Sequence, residues 1–174
     1  MEKKKVTAGQ LFAGLAGVLL LTAIDQITKL WAVKGLKGHD SVVLLKGVFE
    51  LQYLENRGAA FGLMQNQRWL FLVCVALVLG IVGYAYFRLP ATRRYTPFRL
   101  VIVALAAGAI GNAIDRVCRG FVVDFFYFSL IDFPVFNVAD IYVTVSVACF
   151  FVLFLFIYKE EELQCLFPGK GKEK

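Results

Sequence analysis

Apolar residues fall into four runs separated by polar stretches of differing character. Val6 to Ile24 carries no charge for about nineteen residues, and Trp69 to Phe87 repeats that length between Arg68 and Arg88. Ile141 to Tyr158 closes the series. Helices of this length cross the roughly 30 Å hydrocarbon core of a bilayer. The run from Leu100, rich in Ala and Gly, extends about fifteen residues before Asp115 interrupts it. The pattern predicts an all-α membrane protein of one domain, 1–174, with four transmembrane helices over about 6–24, 69–87, 100–115 and 140–158. The first run is too long for the 7–15-residue core of a signal peptide and lacks a small-x-small cleavage site, so it is expected to be a retained helix.

The intervening stretches set topology and accessory structure. Arg88, Arg93, Arg94 and Arg99 crowd one short loop without an acidic residue, which marks it cytoplasmic, as is the lysine-rich start. Both termini are then expected in the cytoplasm, with 25–68 and 116–139 extracytoplasmic. Val42, Val43, Val48, Phe49, Leu51 and Tyr53, punctuated by Gly47, predict a small extracytoplasmic β-sheet within Ser41–Asn56, followed by a turn of small residues through Gly62. Phe121 to Phe136 is dense in aromatics and reads as an interfacial segment. The charged tail, 159–174, is expected to fray.

Composition narrows the chemistry. The chain is 59% hydrophobic, above the roughly 45–50% of soluble domains, and its +6 charge collects at the ends of apolar runs, which argues for topology and against a nucleic-acid partner. His39 is the single histidine and the four cysteines show no C-x-x-C spacing, which excludes Ser-His-Asp triads, Cys-His pairs and histidine-rich metal sites. No metal or cofactor is expected. Carboxylates, amides, hydroxyls, Lys and Arg remain.

Helix rise locates the acids. At 1.5 Å per residue, Asp25 stands about 30 Å above Lys5, Asp115 about 24 Å above Arg99, and Asp140 about 28 Å above Lys159. All three reach the same outer interface, where charge is costly and therefore a functional-site hypothesis. Asp25 and Lys29 have the i, i+4 spacing of a helical ion pair. Gly108, Asn112, Asp115 and Arg116 share one broad face, and Asn137 with Asp140 has the spacing of a capping pair. Two facing carboxylates share a proton, so one activates water while the other polarises a carbonyl. Helix dipoles favour charge on Asp140, at a helix start, and the proton on Asp115, at a helix end.

The ordered set Asp25-x-x-Thr28-Lys29, Asn56-x-Gly58-x-Ala60-Phe61-Gly62, Gly108-Ala109-x-Gly111-Asn112-x-x-Asp115-Arg116, Val123-Asp124-Phe125 and Phe136-Asn137-x-Ala139-Asp140 resembles bacterial lipoprotein signal peptidase, signal peptidase II. The resemblance implies a multi-pass aspartyl endopeptidase of the bacterial inner membrane with its active site at the extracytoplasmic face. Such an enzyme cuts the signal peptide from a prolipoprotein before its diacylglyceryl-modified cysteine, works among membrane lipids and is blocked by globomycin-type inhibitors. It maps a catalytic dyad onto Asp115 and Asp140, supported by Asp25, Lys29, Asn56, Gly58, Asn112, Arg116, Asp124 and Asn137. Ala107 departs from the pattern, since many members carry glycine there. The competing class is a small proton-coupled transporter component using Asp115 and Asp140 as a relay; its weakness is that the acids cluster at one interface instead of along a path.

Overall fold

The computed structural model describes residues 6–58 and 67–166, so Ala60, Phe61 and Gly62 of the expected turn, and the chain after Leu166, lie outside the described residues. Four helices in it are long and apolar enough to cross a membrane: α1 (Ala8–Leu36), α2 (Arg68–Arg88), α3 (Thr96–Cys118) and α4 (Val138–Val152), the last extended by a π-helical turn over Leu153–Ile157. α1 begins at a capping box in which Thr7 Oγ1 accepts the Gln10 N–H at 3.2 Å and Gln10 Oε1 accepts the Thr7 N–H at 3.2 Å. It runs well past Ile24, the end of its apolar run, because Asp25 and Lys29 pair at 3.0 Å inside the protein and the apolar pattern resumes through Leu36.

α3 is the hub and the most buried of the four spans. Its glycines set how closely its neighbours approach. A Cβ on Gly108 would stand 2.6 Å from the Ala139 carbonyl oxygen of α4, and one on Gly111 would collide with Asp25 Oδ2 of α1. Ala107, where glycine was expected, is fully buried and tolerated, its carbonyl accepting from Thr22 Oγ1 at 3.4 Å.

Outside the spans lies a sheet of order β1-β2-β3, antiparallel throughout, made of β1 (Val42–Leu45), β2 (Phe49–Asn56) and β3 (Val122–Tyr127). β3 is the part that the sequence reading did not anticipate, since it treated Phe121–Phe136 as an interfacial segment. Its residues Val122 to Phe125 are all buried, so there is no polar–apolar alternation to betray a strand. Phe136 returns to pair with Phe126, and Leu51, Val123 and Phe125 pack on Ala32 and Leu36, fastening the sheet to the far end of α1.

At the opposite pole Tyr86, Leu89, Tyr95, Phe98 and Tyr158 form a second core. The tail joins it, contrary to expectation as far as Leu166: α5 (Glu160–Leu163) and the following 3-10 turn bury Leu163 and Cys165 there. Arg88 Nε donates to the Cys165 carbonyl at 2.8 Å and Arg94 forks onto Glu162 at 2.9 and 3.2 Å, which supplies the polar fastening that composition alone did not reveal.

Candidate active site

Two polar arrays meet where α1, α3 and α4 approach the sheet. The first is a line of alternating charges. Lys29 Nζ lies 3.0 Å from Asp25 Oδ2 and 3.3 Å from Asp115 Oδ2, and Arg119 Nη1 lies 2.8 Å from Asp115 Oδ1. Asp25, Lys29 and Asp115 are wholly buried, where ions persist only when paired. Asp25 also caps α4 from outside, its Oδ1 accepting the Ala139 N–H at 2.9 Å. Asp115 Oδ2 accepts the Val123 N–H at 3.1 Å, fixing the start of β3.

The second array is a chain of amides whose orientations are dictated by their neighbours. Lys29 donates to Asn112 Oδ1 at 2.8 Å, so the Asn112 amide nitrogen faces away and donates to Asp140 Oδ1 at 2.8 Å. Asn137 is the N-cap of α4. Its Oδ1 accepts the Asp140 N–H at 3.1 Å, and its own backbone N–H donates to Asp140 Oδ2 at 3.1 Å. Its amide nitrogen is thereby aimed at Asp124 Oδ1, 2.6 Å away. From β2, Asn56 Oδ1 accepts the Gly58 N–H at 3.0 Å and its nitrogen donates to Asp124 Oδ2 at 2.9 Å. Arg116 donates to the Gly58 carbonyl at 3.2 Å and to the Asn112 carbonyl at 3.3 Å, with its guanidinium stacked 4.4 Å over Phe71 of α2.

These groups floor a cavity of about 650 Å³. Asn56, Gly58, Asn112, Arg116, Asp124 and Asp140 supply its polar side, while Phe71, Phe128, Ile131, Phe133, Phe136, Ile141 and Val145 supply apolar walls. The carboxylates lining it are thus Asp124 and Asp140, joined through Asn137. Asp115, expected opposite Asp140, lies behind them in the ion line and does not line the cavity. Helix rise fixes depth but not lateral position, and β3 carries Asp124 back into the place that the depth argument assigned to Asp115. Burial, with the Asp140 charge adding to it, pushes the Asp124 carboxyl up from its ordinary 3.8 to about 7, against the opposing pull of Asn56, Asn137 and Lys29.

Asp25, Lys29, Asn56, Gly58, Asn112, Arg116 and Asn137 are therefore all drawn into one connected site. Two further members escaped sequence reasoning. Gln26 donates to Asp25 and to the Gly111 carbonyl, both at 3.1 Å. Arg119 stands four residues beyond Asp115, the same i, i+4 spacing that marked Asp25 with Lys29.

The model of the family described as Signal peptidase (SPase) II matches residues 17–156. A lipoprotein signal peptidase of Clostridioides difficile (strain 630) is 44% identical over 140 residues, 79% of this chain and 92% of the relative. One of Streptococcus thermophilus (strain CNRZ 1066) is 39% identical over 144 residues, 83% of this chain and 91% of the relative. Two bacterial membrane enzyme structures obtained by the in meso method superpose with a TM-score of 0.73 each, at 26% and 28% identity, covering 92% and 91% of this chain and 98% and 100% of theirs. A cavity floored by amide-held carboxylates, on a four-span scaffold that this family model matches almost end to end, leads to one assignment: the chain belongs to the signal peptidase II family.

Proposed function

We propose that the protein is an aspartic endopeptidase that removes the signal peptide from lipid-modified prolipoproteins, cutting before the diacylglyceryl-cysteine, with Asp124 and Asp140 as its catalytic pair. The observation that carries the pairing is that these two carboxylates share the cavity floor and are tied together by Asn137. Asp140 is the base: it sits in the first turn of α4, where the helix dipole favours its charge, and takes a proton from a water in the cavity. The hydroxide oxygen bonds to the scissile carbonyl carbon as protonated Asp124 gives its proton to the carbonyl oxygen. The C–N bond then breaks, the proton held by Asp140 passes to the leaving amine, and Asp124 recovers its own as the carbonyl reforms. Asp115 supports the site as the anion that holds Lys29, Arg119 and the start of β3 in place.

The surroundings suit the substrate. Apolar walls beside a polar floor accommodate acyl chains next to an extended peptide, and a globomycin-type cyclic peptide would compete for the same space. The arginines at Arg88, Arg93, Arg94 and Arg99 support a cytoplasmic α2–α3 loop and cytoplasmic termini, and with them a cavity opening at the extracytoplasmic face of the bacterial inner membrane.

Cleavage of a lipidated prolipoprotein by the purified full chain, in the presence of a chelator, tests the proposal. Asp124→Asn and Asp140→Asn should each abolish cleavage while melting cooperatively. Cleavage near the wild-type rate by Asp124→Asn would remove it from the pair and return Asp115 to candidacy.

A further inference from the structure

The buried ions behind the catalytic pair are balanced by a residue at the protein surface. Lys29 serves three acceptors at unequal distances: Asn112 at 2.8 Å, Asp25 at 3.0 Å and Asp115 at 3.3 Å. Its longest contact is the one to Asp115, whose near cationic partner is Arg119 at 2.8 Å. The four side chains Asp25, Lys29, Asp115 and Arg119 sum to zero charge, and Arg119 alone among them reaches solvent, its side chain 24% exposed against 0% for the others.

Resting on the assignment of Asp124 and Asp140 as the pair, we infer that Arg119 is a positioning residue for the reaction. By holding Asp115 it leaves Lys29 committed to Asn112, and so keeps the amide chain aimed at Asp140. Without Arg119, Asp115 competes for Lys29, the Lys29–Asn112 bond lengthens, and the buried array carries an uncompensated negative charge beside the pair. Two effects follow: a lower turnover, because Asn112 no longer orients Asp140, and a shift of the pH–rate profile toward higher pH, because added negative charge makes both carboxyls release protons less readily.

Among the described residues, the other charged and polar groups near the pair are engaged elsewhere. Lys29 on α1 opposes the rise at Asp124, and Arg116 on α3 donates to the Gly58 and Asn112 carbonyls. The polar side chains of Asn56 on β2 and Asn137 before α4 are neutral donors to Asp124. None of these can replace a cation at the Asp115 Oδ1 side, where Arg119 is the partner among the described residues.

The test compares kcat, KM and the pH–rate profile of the full-length enzyme with those of Arg119→Gln, Arg119→Met and Arg119→Lys, alongside thermal melting in detergent. The neutral variants should show a profile displaced upward by about half a pH unit or more, with kcat reduced several-fold and KM little changed. Arg119→Lys should restore both. A neutral variant with wild-type profile and kcat overturns the inference, as does one that only lowers melting temperature. If neither neutral variant folds, Arg119 serves stability and the inference fails. Asp124→Asn measured in parallel separates the two proposals: cleavage by that variant refutes the pair itself, whereas a dead Asp124→Asn beside an unshifted Arg119→Gln refutes the role of Arg119 alone.

Discussion

The two ends of α3 are both buried, by opposite chemistry. At its start Phe98 and Arg99 lie among Tyr86, Tyr95 and Tyr158, and Arg99 donates to the Leu89 and Pro90 carbonyls at 3.1 and 2.8 Å. Cations there meet backbone carbonyls, aromatic rings and the partly exposed Glu162, no carboxylate at that end is fully buried among the described residues, and α5 closes over the top. At its end Gly111, Asn112 and Asp115 meet carboxylates and amides from α1, β3 and α4, and a cavity stays open beside them. One end stabilises by packing. The other tolerates two acids facing a void, an arrangement that costs stability and is understandable only through what it does.

The largest expected effects separate the ends by function. Asp124→Asn and Asp140→Asn should each lower kcat by about a thousandfold or more, since losing one member of an acid–base pair disables the unit. Leu163→Ala, at the α5 end, should lower unfolding free energy by about 2–4 kcal/mol in a denaturation series and leave kcat of the folded enzyme near wild type. A kcat loss there comparable to that of the carboxylate variants would break the contrast. Gly108→Ala lies between the poles. Its Cβ meets a backbone oxygen at 2.6 Å, so α4 must move, with a stability cost of about 1–3 kcal/mol and a drop in activity that Leu163→Ala does not share.

The smallest effect concerns pH. Asp124 holds its proton to about pH 7 in the folded chain against an ordinary 3.8, so the folded state binds more protons between those values and stability falls as pH rises through that window. Asp124→Asn should lack this part of the decline when melting temperatures are compared at pH 4.5 and 8. Equal pH slopes in wild type and variant would show that Asp124 is not held in its protonated form.

Some of this was legible from residues alone. The number of spans followed from run length, and polar residues noted at the ends of runs, Asp25, Lys29, Asn112, Arg116, Asn137 and Asp140, lie together in the structure. The assignment of partners within that cluster was not legible, because a count of residues along a helix measures one coordinate and Asp124 enters from a strand. That strand was hidden by its own burial. Val122, Val123, Phe125, Phe126 and Tyr127, following Gly120 with its φ of 81°, nevertheless carried the β-branched and aromatic enrichment from which it could have been found. The docking of α5 left no trace in hydropathy, since it depends on Arg88 and Arg94 reaching carbonyls and a carboxylate far along the chain.

The fixed orientations of Asn56, Asn112 and Asn137 bear on how the protein ages. Each uses its oxygen to accept from a donor that cannot reverse, and its nitrogen to donate to a carboxylate. Conversion of any of them to aspartate, one product of slow deamidation, replaces that donor with a further carboxyl oxygen pressed against the pair. The damage is a reversal of polarity within an unchanged shape.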